Sequence, residues 1–167
     1  MFPSTYFNLF RPFPQKNQVF VAMSFDSQFK ERWNDVIKPA IERVKINKRK
    51  LIPIRVDERQ IGDSILTEIL NGISQSTLIF ADITSICISN RKPIRNGNVM
   101  YELGIAHAIR LPEEIILFRS DNDSLLFDLS NIRVNRYNPA ESKIESQDKI
   151  VKAIFAAIHE IDLKKNL

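Results

Sequence analysis

Two short apolar runs constrain this chain more than anything else in it. Residues 18–25 read QVFVAMSF and residues 77–81 read TLIFA, both rich in β-formers and too short for a buried helix. Such runs suit strands covered on both faces, because neither side of the strand then meets water. The stretches around them have a different rhythm. Over 27–45 the apolar residues Phe29, Trp33, Val36, Ile37, Ala40, Ile41 and Val44 recur at helical spacing. Pro39 removes one backbone donor from that helix and predicts a bend or a split near its middle. Residues 51–56 return to strand composition, with Pro53 suited to a sheet edge. Asp63 or Ser64 can cap a helix through Ser74, with Ile65, Leu66, Ile69, Leu70 and Ile73 on its buried side. The segment 83–97 has no clean period and reads as a loop. A helix from Asn98 to about Arg110, strands at 114–119 and 132–137, and a final helix over about 141–163 complete the pattern.

Strands that alternate with helices in this order predict a parallel sheet, since parallel neighbours need crossover connections and the crossovers cover both faces. The expected architecture is a flavodoxin-like three-layer sandwich with a five-stranded parallel sheet in the order 2-1-3-4-5. Ligands in such folds sit beyond the carboxyl ends of the strands, near the point where neighbouring connections leave toward opposite faces. That directs the search to 23–26, 56–62, 82–97 and 119–128.

Composition narrows the function classes. The 167 residues suit a single core, and 44% hydrophobic with 26% charged residues describes a globular chain. We expect one domain over 18–167, preceded by an arm at 1–17. The arm carries Phe2, Phe7, Phe10 and Phe13 among Pro3, Pro12 and Pro14, and reads either as an extended segment docked on the domain or a neighbouring subunit, or as a flexible leader. Cys87 is the single cysteine, which leaves no internal disulfide, and no paired Cys or His spacing suggests zinc. No apolar run approaches a membrane span or a secretory leader, so the expectation is a cytoplasmic protein with no membrane partner.

The net charge of +4 is concentrated in residues 1–60, with 12 basic and 6 acidic side chains. Its densest part, Lys45, Lys48, Arg49 and Lys50, follows a predicted helix, where cations complement the dipole and remain solvated. Interleaved aromatics and nucleic-acid-binding signatures are missing, so nucleic acid is not the expected partner.

The four glycines at 62, 72, 97 and 104 build neither a Walker A motif nor GxGxxG. His107 and His159 fall on predicted helices 52 positions apart and suggest no triad. The informative stretch is 98–108, NVMYELGIAHA. Glu102 lies one turn beyond Asn98 and one turn before Ala106, so the three share a face near the helix start, toward the strand ends. Met100, Tyr101, Leu103 and Ile105 surround the acid in sequence, while Gly104 and Ala106 remove bulk and would allow a close approach by another element or a ligand. Complementing the helix dipole is the plainer role for the same acid.

Several segments together resemble nucleoside 2-deoxyribosyltransferase-like proteins, whose flavodoxin-like fold is shared with Toll/interleukin-1 receptor (TIR) domains. They are VFVAMSFD at 19–26, RVDE at 55–58, DSILTEILNGISQS at 63–76, LIFADIT at 78–84 and NVMYELGIAHA at 98–108, in family order and covering most of 18–137. The resemblance implies chemistry at an N-glycosidic bond, with Glu102 at the position of the family's catalytic glutamate. In the transferases that carboxylate attacks the anomeric carbon; in TIR-like hydrolases a comparable glutamate is linked to removal of nicotinamide from NAD. It implies NAD or a nucleoside as substrate, no cofactor, no metal and self-association into a homo-oligomer.

Supporting roles follow for nearby residues. Asp82, at a strand end, is suited to accept hydrogen bonds from a ribose or base, or simply to start the turn. Asn98 is placed to hold the sugar or to cap the helix. Ser24 and Phe25 can bound a base pocket, with core packing as the other role for the ring. Asp57 is either a ligand contact or solvated surface, and Tyr101 either presents its hydroxyl to the site or belongs to the scaffold. The transferases carry an acid just before an LNGI-like run, where this chain has Ile69. Arg91, Lys92 and Arg95 in the 85–97 segment are suited to a pyrophosphate or to solvent. Both departures favour NAD hydrolysis over exchange of bases on a deoxynucleoside. A non-catalytic nucleotide-sensing or assembly module is the alternative from another class.

Overall fold

The structure, a computed structural model, describes residues 16–56, 65–125, 129 and 131–165. Strand β1 (Lys16–Ala22) is followed by a helical rod, α1, that starts with a 3-10 turn at Ser27–Phe29. The rod runs through Lys30–Arg32, a π turn at Trp33–Ile37 and Lys38–Arg43. A small hairpin, β2 (Lys45–Ile46) and β3 (Arg49–Lys50), leads to β4 (Ile52–Ile54). Helix α2 (Ile65–Gln75) and strand β5 (Ser76–Asp82) follow, then a second hairpin of β6 (Ser85–Ser89) and β7 (Lys92–Arg95). Helix α3 (Gly97–Ile109), β8 (Ile115–Arg119), β9 (Val134–Arg136) and helix α4 (Lys143–Lys165) complete the described chain.

The central sheet has the order β4-β1-β5-β8-β9, and every pairing in it is parallel. Counting only these five strands, that is 2-1-3-4-5, the expected flavodoxin-like arrangement. Pro53 lies in β4 at the edge, where its missing donor breaks no ladder on the outer side.

Alternation along each strand sends its side chains into two separate cores. Val19, Val21, Leu78, Phe80, Ile116 and Phe118 face α1 and α4, joining Trp33, Ile37, Ile41, Ile150 and Ile154. Phe20, Ala22, Ile79, Ala81 and Leu117 face the other way, against Ile73 of α2 and Val99, Leu103 and Ala106 of α3. The three layers are therefore α1 with α4, the sheet, and α2 with α3.

Four local expectations are refined or corrected. The disturbance expected at Pro39 takes the form of a π turn just before it, with the Lys38 N–H bonded to the Trp33 carbonyl. Pro39 cannot donate to the Asp35 carbonyl four residues back, and Gln147 Nε2 of α4 donates to that carbonyl instead at 2.7 Å. The segment 83–97 is mostly a hairpin, turning through Asn90 and Arg91 in left-handed backbone at φ 50° and 61°. A methyl group placed on Gly104 would meet no neighbour within 4 Å, so no close approach occurs there; Ala106 is the position fully buried against the sheet. Lys16 and Asn17, grouped with the arm by composition, lie in β1, and residues 1–15 fall outside the described residues. Among the described residues no helix is long and apolar enough to cross a membrane.

Candidate functional site

The carboxyl end of β1 leads into Met23-Ser24-Phe25-Asp26, where the chain leaves the sheet for α1. The start of α3 lies beside it. Asn96 caps this helix, its Oδ1 accepting from the backbone N–H of Asn98 at 2.9 Å and of Val99 at 3.2 Å. This corrects the expectation that Asn98 could be the cap. The Asn96 amide Nδ2 donates to Ser24 Oγ at 3.1 Å, joining the helix start to the end of β1.

Between these two segments lies a cavity of about 190 Å³. Residues 23–26 form one wall, Ile86 of the β6–β7 hairpin another, and Asn96, Asn98 and Glu102 the third. Gln28 Nε2 donates to the Ile86 carbonyl at 3.3 Å and ties the hairpin to the first turn of the rod.

Glu102 is 7% exposed, and no described residue donates a hydrogen bond to its carboxylate. Burial strips water from the charged form and raises its pKa to about 7. Glu102 is the sixth residue of α3, beyond the first turn where the helix dipole acts, so little opposes the desolvation. Near neutral pH the group is present in both protonation states, the condition in which a carboxyl can act as acid, base or nucleophile.

The mouth of the cavity is bounded by Phe25, 49% exposed. The Arg55 guanidinium lies 5.1 Å from the centre of its ring and 4.7 Å from that of Trp33, and approaches Met23 Sδ at 3.7 Å. The half-exposed ring is thereby stacked through a cation onto a core tryptophan, which favours one orientation of its face.

A second polar cluster lies at the ends of β5 and β9. Asp82 accepts from Arg32 Nη1 at 2.7 Å, from the Tyr137 hydroxyl at 2.7 Å, and from the Thr84 N–H and hydroxyl. Burial and the adjacent carboxylate hold the Tyr137 phenol well above its usual pKa, so it stays a donor. A third network ties the hairpin down: Arg95 donates to the Ile83 carbonyl and to Asp121, while Ser85 donates to Asp121 and Asp123.

Of the residues singled out from sequence, Glu102, Ser24, Phe25 and Asn98 meet at the cavity. Asp82 is held in its own network and is not among the lining residues, and Tyr101 points outward on α3 at 58% exposure. Asp57 lies outside the described residues. Arg95, considered for a pyrophosphate, is turned inward, whereas Arg91 and Lys92 are exposed at the hairpin turn. His107 is exposed on α3. Sequence reasoning passed over Asn96, Asp26 and Ile86. For Asn96 a signal existed, since an Asn followed by a glycine and an apolar helix is a capping pattern. Among the described residues no group of three His, Cys, Asp or Glu side chains is placed to hold a metal ion. The sequence matches no protein-family model and no curated protein.

Proposed function

We propose that this protein cleaves or transfers the N-glycosidic bond of a nucleotide, with NAD hydrolysis as the main activity and Glu102 as the catalytic carboxylate. The observation that carries the reading is the placement of Glu102: a buried acid, raised to about 7, lining a cavity at the carboxyl edge of a parallel sheet. The resemblance to nucleoside 2-deoxyribosyltransferase-like and TIR proteins supplies the reaction class.

In this mechanism the bond from the anomeric carbon to the base nitrogen breaks and its electron pair leaves with the base. The sugar passes through an oxocarbenium-like state. The Glu102 carboxylate either stabilises that positive charge or attacks the carbon to form an ester; water then adds to the anomeric carbon and gives up a proton to solvent, and in the ester route the carbon–carboxylate bond breaks to return the free acid anion. A dry carboxylate opposes the developing charge more strongly than a solvated one.

The cavity is smaller than the roughly 300–1,000 Å³ of pockets that engulf a drug-sized ligand. It suits one sugar ring, with the rest of a nucleotide lying along the open mouth past Phe25. Ile69, where the transferases have an acid, packs against the core beneath α2, which supports hydrolysis over base exchange. Cytoplasmic location and self-association belong to the same reading.

The test is a mass-spectrometric assay for nicotinamide released from NAD, run beside base release from nucleosides. Glu102→Ala and Glu102→Gln are expected to lower turnover at least about a hundredfold. Turnover unaffected by both changes removes Glu102 from the mechanism.

A further inference from the structure

Ser24 carries information that its residue type alone does not. A serine hydroxyl has one hydrogen to donate and two lone pairs to accept with. Ser24 Oγ accepts from Asn96 Nδ2 at 3.1 Å and from the Asp26 N–H at 3.3 Å. Neither donor can reverse. One is a backbone amide. The other is the NH2 end of a side chain whose oxygen is already committed to two helix N–H groups, at 2.9 and 3.2 Å, and a swapped amide would set donors against donors.

With both lone pairs occupied, the Ser24 hydrogen must point elsewhere. No described residue accepts it. Ser24 is only 7% exposed, so bulk water does not surround it, and it lines the same cavity as Glu102. The hydroxyl is thus a largely buried donor facing the cleft that Glu102 lines, and a buried donor of this kind calls for an acceptor.

We infer that Ser24 is a donor contact for an acceptor oxygen on the sugar of the substrate, and that Asn96 is the positioning residue that sets this polarity. The identity of the ligand rests on the N-glycosidic reading; the direction of the hydroxyl does not. A sugar oxygen fits because the cavity holds about one ring and the anomeric carbon has to come near Glu102. The site then offers a donor and an acid around one ring, and it disfavours an analogue that presents only a donor at the Ser24 position.

Asn96→Asp separates polarity from structure. Aspartate caps helices as well as asparagine, so the helix start is kept, but the NH2 donor becomes a second acceptor and the Ser24 hydrogen turns toward it. With NAD as the probe, Ser24→Ala and Asn96→Asp are each expected to weaken binding roughly tenfold in protein that remains folded by circular dichroism. In the Ser24→Ala background Asn96→Asp is expected to add nothing, whereas an effect of the new charge alone would persist there and would overturn the inference. Undiminished binding in Asn96→Asp would also overturn it.

A neutron structure of the ligand-free protein reads the polarity without a substrate. A Ser24 deuterium directed into the cavity is the expected result, and one directed at Asn96 or at the Asp26 backbone rejects the assignment. Should the wild-type protein bind neither NAD nor a nucleoside, the functional reading fails, and the neutron density still decides the direction of Ser24.

Discussion

An acid held near pKa 7 by burial weakens the fold when it ionises. The Glu102 carboxyl moves from the ordinary 4.5 to about 7 on folding, so the native state holds its proton more tightly than the unfolded chain does. Below the unfolded value both states are protonated and there is no penalty. Between 4.5 and 7 the penalty grows, and above 7 it levels at about 3 kcal/mol. Glu102→Gln removes the ionisation while keeping the shape. Urea unfolding is therefore expected to find this variant more stable than wild type by up to about 3 kcal/mol at pH 8.5, with the gain gone by pH 4. A gain equal at both pH values would show that the buried charge is not its source. That this acid is unusual was readable from its neighbours in sequence, Met100, Leu103 and Ile105. The cap at Asn96 was readable only ambiguously, because Asn98 two positions later has the same side chain and precedes the apolar stretch more closely.

At the scale of elements, two glycines on two helices behave oppositely. A Cβ on Gly72 of α2 would press into the Phe20 ring, 2.7 Å from its Cε2 and closer still to its Cδ2, and Phe20 is 1% exposed in the second core. Gly72→Ala is expected to cost about 1–3 kcal/mol through overpacking. Gly104→Ala meets open space and is expected to stabilise α3 by roughly 0.5–1 kcal/mol. Thermal or urea unfolding of both variants checks the pair, and equal effects would contradict the packing described for α2. The β6–β7 hairpin was illegible for a related reason. Its turn residues Asn90 and Arg91 adopt positive φ without a glycine to announce it, and Cys87, Lys92 and Pro93 blur the alternation. The π turn was half legible: Pro39 announced a disturbance, but its form depended on Gln147, more than a hundred positions away, supplying a donor to the freed carbonyl.

For the whole molecule, the helix-covered parallel sheet was legible because runs such as VFVA and LIFA have no polar face and must be covered twice, and the strand order followed from taking the alternation as flavodoxin-like. The end of the sheet opposite the site depends on Arg110, which composition does not mark. Its Nη1 donates to the carbonyls of Ile73, Ser74 and Ser76 at 2.7–3.0 Å, and its Nε to Glu114 at 2.8 Å, all within the buried interior. It closes the end of α2, the start of β5 and the exit of α3 in one stroke. Arg110→Met strips donors from those carbonyls and leaves Glu114 without this partner, so a loss of about 3–5 kcal/mol is expected in urea unfolding, against at most about 1 kcal/mol for the exposed pair broken by Arg43→Met.

Helix α3 is thereby pinned at both ends, by Asn96 to β1 at the front and by Arg110 to the sheet at the rear. A beam fixed at two points does not swing. The backbone of Glu102, nearly two turns in from the front pin, is set by both anchors, so on the proposed N-glycosidic reading the entropic burden of alignment falls mainly on the incoming molecule.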